Sequence, residues 1–433
     1  MKKIESSAIQ GDNRVLPLRD LDTFVIALIL IKEFLLDFFG VGNAVNFLII
    51  VLIAVALVKS GRVPSGRVLF PFFAALFLMI ASFVAYGGEW GIALKNALRI
   101  VQLFPYVFFI GHLFADRWEL LKRIGPALLL LCNIILIINI IVMAVQYYRP
   151  GVIVAWDSGP ELYGPDVICG LFGKGSTHAV AMLSSFVVVN NAVYARRKRP
   201  RGGSMYNVMM LIASLAVALI NDNKALFLLL PLYIFCFGVI YLGLSRRRGN
   251  SRKVIRSCIV VIAALGLAVV FSYMMFDWFK RIVDSTIISS LEMILNSLSG
   301  DAYVNGSNER FKQIGYALSI ASSWLFGEGI GITDFYQEGY HGFSFFGQSD
   351  YGSMIIICGV WLYLAVIAFY TSALSDAVGP EGMARSNLII VVVVMLLVMS
   401  VYSQIFTQVR FGIPFLMMAA SLEFYAKYRG VEE

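Results

Sequence analysis

About twelve apolar stretches, each close to 20 residues long, follow one another along this chain. Nothing in the sequence constrains the fold more. A run of that length is what an α-helix needs to cross the hydrocarbon of a bilayer. In hydrocarbon only helices and closed barrels satisfy every backbone amide. The runs cover roughly residues 21–40, 43–59, 69–86, 94–114, 124–147, 175–195, 205–221, 224–244, 256–276, 352–374, 387–406 and 409–426. Residues 205–244 count as two spans because Asn221-Asp222-Asn223-Lys224 interrupts them, and four polar residues do not sit free in hydrocarbon. The expected fold is an all-α polytopic membrane protein. The first run is preceded by about 20 polar residues and reads as a retained span, not a cleaved signal.

Charge fixes the expected orientation. Arg196, Arg197, Lys198, Arg199 and Arg201 fall in one loop, and Arg246, Arg247, Arg248, Arg252, Lys253 and Arg256 in another. Lys59, Arg62 and Arg67, then Arg117, Lys122 and Arg123, fill the preceding loops of the same set. Cytoplasmic loops carry this excess, so an even number of spans places both termini in the cytoplasm. The same rule accounts for the net charge of +8 without nucleic acid. Residues 1–276 then carry spans one to nine, 277–351 form a large external loop, and 352–433 carry spans ten to twelve. Within the loop, Trp278, Ile282, Ile287, Leu291, Ile294 and Leu298 share one helical face, which suggests a surface-lying amphipathic helix over 277–298. A second helix is expected from Ser307 to Trp324.

The basic residues outside the cytoplasmic loops are Lys32, Lys95, Arg99, Arg149, Lys174, Lys224, Lys280, Arg281, Arg310, Lys312 and Arg410. Cations gathered near headgroup level suit a lipid phosphate or pyrophosphate, which Arg holds through paired hydrogen bonds. Arg310, Lys224 and Arg410, with Lys312, are the candidates for that task, because ionisable residues at span ends facing a bundle mark sites. Lys32, Lys280 and Arg281 read more simply as snorkelling anchors. Beside the cations lie Asp334, Tyr336, Glu338, Tyr340, His341, Gln348, Ser349, Asp350 and Tyr351. Carboxylates accept sugar hydroxyls and aromatic faces stack on sugar rings. Tyr336, Tyr340, Tyr351 and His178 are therefore the glycan-binding candidates. Asp350, at the mouth of a span, is the candidate general base, with His341 as its rival. His112 reads as a packed helix residue. The five cysteines form no CxxC pair, so neither a disulfide framework nor a metal site is expected. GxxxxGK[ST] and HExxH are both absent, and no external DxD pair supports a metal-bound nucleotide-sugar.

Ser307-Asn308-Glu309-Arg310, followed by Ala321-Ser322-Ser323-Trp324-Leu325-Phe326-Gly327-Glu328-Gly329-Ile330-Gly331, resembles the large periplasmic loop of the bacterial O-antigen polymerase and O-antigen ligase superfamily. There an Arg starts a helix that ends in a hydrophobic-Gly-x-Gly turn, and a polar element and a Gly-containing span follow. Here these are Gln348-Ser349-Asp350-Tyr351 and Ile357-Cys358-Gly359-Val360. Gly170-Leu171-Phe172-Gly173 through His178-Ala179, and Asn221 to Leu228 with Lys224 where Arg is common, resemble two further span heads of the family. The motifs cover about residues 165–365. The resemblance implies a glycosyltransferase of the GT-C-like class in the bacterial inner membrane, with its active site facing the periplasm. It implies transfer of a glycan from undecaprenyl pyrophosphate to a sugar hydroxyl, with inversion, without a metal and without a cofactor. Implied partners are undecaprenyl-pyrophosphate-linked oligosaccharides, membrane lipid, a chain-length regulator and a flippase. Ligases carry a His where Gln348-Ser349-Asp350 stands, which favours a polymerase. A ligase with a lipid acceptor, and a lipid-linked oligosaccharide transporter or flippase, are the competing readings. A transporter usually shows internal repeats and discontinuous helices, and the sequence has no evident repeat.

Overall fold

The computed structural model describes residues 20–61, 63–156, 167–198, 203–221, 223–247, 326–334, 349–376 and 383–431, with isolated positions between 256 and 317. The described chain is helical. Its helices are α1 (Leu21–Ile31), α2 (Gly42–Ser60), α3 (Gly66–Tyr86), α4 (Trp90–Val101), α5 (Phe104–Asp116), α6 (Trp118–Tyr148), α7 (Thr177–Lys198), α8 (Gly203–Ile220), α9 (Lys224–Arg247), α10 (Asp350–Cys358), α11 (Val360–Ser375), α12 (Met383–Tyr402) and α13 (Val409–Val431). Among the described residues, seven helical segments are long and apolar enough to cross a membrane. The protein is a multi-pass helical membrane protein. Its outer surface is studded with exposed apolar side chains, among them Phe47, Phe70, Phe77 and Val84, as expected of helices that face lipid. The amphipathic helix expected over 277–298 lies almost wholly outside the described residues, and of the second expected helix only Gln313 and 315–317 are described, as helix.

α7 packs on α8, α9 and α13, α12 on α9, and α11 on α3. Phe72, Phe104, Phe108 and Phe369 form an aromatic knot between α3, α5 and α11, with ring centroids 4.7–5.8 Å apart. The bundle has two chemically distinct ends. At one, Arg117 pairs with Asp20 and Asp22, and Lys427 donates to the Phe114 carbonyl and lies over the Trp118 ring. His112 is packed there as expected, 2.9 Å from Asp116. This is the end of the Lys- and Arg-rich loops. At the other end lie the starts of α7, α9, α10 and α13 and the 326–334 segment.

Three expected spans are interrupted. The 94–114 run breaks at Gln102–Leu103, where Pro105 opens α5; the fixed φ of a proline suits a helix's first turn. The 352–374 run breaks at Gly359, whose φ of 89° and ψ of 166° fall in a region essentially reserved for glycine. The 21–40 run passes from α1 into a π-helical turn, Lys32–Leu36. The 205–244 stretch is two helices, as expected, with α8 ending at Ile220 and α9 starting at Lys224.

Candidate functional site

α7, α9 and α13 run parallel from one end, and their first turns are knitted together. Asn223, just before α9, donates from Nδ2 to the Thr177 carbonyl at 2.6 Å. Arg410, in the first turn of α13, donates to the Lys174 carbonyl at 3.4 Å and to Ser176 Oγ at 3.5 Å. The first amides of a helix have no intrahelical acceptor and carry the positive end of its dipole. The starts of α7 and α13 meet at this half-buried guanidinium, and the start of α9 is tied to that of α7. The 170–176 turn is itself held by α6: Gln146 Oε1 accepts from Gly170 N at 2.9 Å and Asn139 Oδ1 from Leu171 N at 2.7 Å. Gly170 has a φ of 64° and leaves no room for a Cβ beside Asn139. His178 is wedged between the Tyr402 and Phe411 rings, at 5.3 and 5.4 Å.

The π-helical turn packs against the 170–172 turn, with Phe34 edge-on to Phe172 at 5.4 Å. Asp37 N bonds the Lys32 carbonyl at 3.0 Å, the i to i+5 pattern that brings side chains five apart onto one side. Lys32 Nζ accordingly reaches Asp37 Oδ2 at 2.8 Å and Glu33 Oε2 at 3.2 Å. Lys32, Glu33 and Asp37 are all buried. Lys32 is therefore no snorkelling anchor: its ammonium turns inward to two acids. Arg410 interacts electrostatically with Glu33.

Below Arg410 lies an apolar cleft with a void of about 190 Å³ between α1, α5, α6, α7 and α13. On α13 its lining begins at Ile413, one turn from Arg410, and continues through Leu416, Met417, Ala420 and Phe424. Tyr106 closes its upper end and donates to Asn46 Oδ1 at 2.5 Å.

Asp350 opens α10 and is fully buried. Its Oδ2 accepts from Phe406 N at 2.6 Å and its Oδ1 from Thr407 Oγ1 at 2.5 Å, and the amides of Ile405 and Thr407 also face it. Each oxygen of the Asp350 carboxylate has a hydrogen-bond donor. Asp350 is thus not open to a glycan as expected. It ties the turn before α13 to the start of α10, and Gln102 Nε2 braces the same turn through the Thr407 carbonyl at 2.6 Å. Tyr351 is half-buried and packs edge-on against Tyr363 at 5.1 Å.

The Phe326–Gly331 turn is docked between α3, α4 and α10. Ser82 Oγ donates to the Phe326 carbonyl at 3.0 Å, and Asn96 Nδ2 donates to the carbonyls of Ile330 and Thr333 at 3.0 and 2.8 Å. Glu328 N and Gly329 N donate to the Ile356 and Ile357 carbonyls at 2.6 and 3.1 Å. Those carbonyls are free because the helix breaks at Gly359. A Cβ on Gly327 would overlap the Ile356 carbonyl oxygen, and one on Gly329 would sit 2.8 Å from Tyr86 Cβ. Asp334 pairs with Lys95 and, at 2.9 Å, with Arg99, so these two basic residues latch the segment onto α4.

The structure thus brings Arg410, His178 and the start of α9 at Lys224 to one place, and sets Asp350 and Tyr351 in the neighbouring packing. Arg310, Lys312, Tyr336, Tyr340 and His341 lie outside the described residues, as does the Lys224 side chain. Sequence reasoning passed over Glu33 and Asp37. Two acids inside a first apolar run were the signal. Among the described residues no cluster of His, Cys, Asp or Glu could hold a metal ion. The chain matches no family model, no curated protein and no solved structure.

Proposed function

We propose that this protein is an inner-membrane glycan polymerase. It transfers a growing glycan from undecaprenyl pyrophosphate to a sugar hydroxyl of another lipid-linked repeat unit, on the periplasmic side. One observation supports the reading: the starts of α7, α9 and α13 cluster, with Arg410 among them, one helical turn above an apolar cleft. Helix N-termini bind phosphate groups through free amides and dipole, and an apolar cleft takes a hydrocarbon chain. Together they suit an amphiphile with a phosphorylated head. The docked Gly-rich turn at residues 326–331, which resembles the superfamily's motif, supports the same reading.

The chemistry asks little more of the protein. Pyrophosphate is a good leaving group, so catalysis rests on neutralising the charge that develops on it. Fixed cations and dipoles do this without reorganisation. Arg410 is the described cation for that role, with Lys224, Arg310 and Lys312 as its proposed partners and His178 on the glycan side. The test is undecaprenyl pyrophosphate binding and repeat-unit polymerisation by the protein in lipid nanodiscs. Arg410→Ala is expected to weaken carrier binding and to slow transfer on the order of 10²-fold. Parental binding and rate in that variant would refute the assignment.

A transporter or flippase is the second reading, favoured by the interruptions at Gln102–Leu103 and Gly359, since broken helices line transport sites. Movement of the lipid-linked repeat across a proteoliposome bilayer without chain growth would establish it. A ligase differs from a polymerase by phenotype: a strain lacking the protein accumulates free long chains for a ligase and capped single repeats for a polymerase.

A further inference from the structure

The Lys32–Glu33–Asp37 cluster is buried in the π-helical turn that packs against the 170–172 turn. Its hydrogen bonds are uneven. Both acids share the Lys32 ammonium, Glu33 through Oε2 alone. Glu33 Oε1 is buried without a hydrogen-bond partner, and the residue as a whole is 1% exposed. A buried acceptor left unsatisfied costs about 1–3 kcal/mol, and more when charged. Other buried atoms share that state among the described residues, both oxygens of Glu423 included; Glu33 differs in belonging to the π-helical turn that packs beside the start of α7. Asp350 makes the contrast: it too is buried, but each of its oxygens accepts a hydrogen bond, whereas Glu33 Oε1 accepts none.

The π-helical turn abuts the 170–172 turn, whose continuation at Lys174 and Ser176 receives Arg410. The charged or titratable groups that act on Glu33, or that it acts on, are Lys32 and Asp37 in its own segment, Arg410 from α13 and Tyr106 from α5.

We propose that Glu33 is the proton acceptor for the acceptor-sugar hydroxyl, beside Arg410; the inference rests on the glycosyl transfer proposed above. The hydroxyl O–H bond breaks and its proton passes to Glu33 Oε1. The oxygen's electron pair forms a bond to the anomeric carbon of the donor. The bond from that carbon to the pyrophosphate oxygen breaks, and its electron pair leaves on the pyrophosphate next to Arg410. Lys32 and Asp37 are positioning residues: the shared ammonium fixes Oε2 and leaves Oε1 uncommitted. Because Glu33 is so deeply buried, the hydroxyl reaches it only by parting the side chains packed around it.

The experiment uses the full chain in nanodiscs, with undecaprenyl-pyrophosphate-linked repeats as substrate and undecaprenyl pyrophosphate as binding probe. Glu33→Gln is expected to bind the probe and melt as the parent does, while kcat falls on the order of 10²-fold or more. Glu33→Asp is expected to recover part of that loss. A parental rate in Glu33→Gln overturns the inference. Loss of probe binding or of thermal stability in step with rate also overturns it, because Glu33 is then only the counter-charge of Lys32 and Arg410. A parent protein that neither binds the probe nor polymerises removes the proposed function, and this inference with it.

Discussion

Asp350 shows how a side chain's work is decided by its donors. On sequence it stands at the mouth of a span between Ser349 and Tyr351, a position suited to a base. In the fold it is the acceptor that closes the Ile405–Thr407 turn, which in turn sets the start of α13 and Arg410. Asp350→Asn replaces an acceptor oxygen with an amide that faces donors. Hydrogen bonds to a charged group contribute roughly 1.5–3 kcal/mol each, so this variant is expected to lose about that much stability or more, seen as a lower melting temperature in detergent. Any loss of transfer should follow the loss of folded protein. A variant that melts as the parent but is inactive would restore Asp350 as a catalytic candidate. The partners of Asp350 lie 56 and 57 positions away, and no local pattern reveals them. Arg410 was legible because a cation at the head of an apolar run is conspicuous. Lys32 was misjudged because a snorkelling rule considers depth alone, while its acids are one and five positions away.

Interruptions give the helices their function. The apolar runs were legible from length and composition, since lipid selects on both. Their breaks were not, because hydropathy averages across a glycine or a proline and a π-helical turn has no hydropathy signature. Gly359 ends α10 so that the Ile356 and Ile357 carbonyls face sideways, where Glu328 and Gly329 meet them. The Gly-Glu-Gly-Ile-Gly pattern was visible in the sequence; its surface, α3 and α4 some 240 positions upstream, was not. Gly359→Ala puts a side chain into a glycine-only conformation and is expected to cost about 1–3 kcal/mol. Gly327→Ala drives a methyl group into the Ile356 carbonyl and is expected to expel the turn. In both variants a cysteine placed at Thr333, which is buried in the parent fold, should react with a thiol reagent many times faster than in the parent background. Unchanged protection would show that the turn is held by other means.

For the molecule as a whole, the distribution of charge predicts sidedness. A cysteine at position 340 is expected to react with an impermeant reagent only from the periplasmic face, and labelling only from the cytoplasmic face would invert the topology. The docked 326–334 segment also bears on the order of assembly. Ser82 and Asn96 leave the ribosome long before the turn they receive, and Ile356 and Ile357 leave it afterwards. The Glu328 and Gly329 amides cannot enter hydrocarbon until those carbonyls arrive, since an unpaired amide there costs several kcal/mol. Their chain segment therefore waits in water during synthesis, with only the α3 and α4 part of its cradle made. The later helix pair, broken at Gly359, completes the cradle as it inserts. The seam between the first and last thirds of the protein is thus closed only after α10 and α11 have been made.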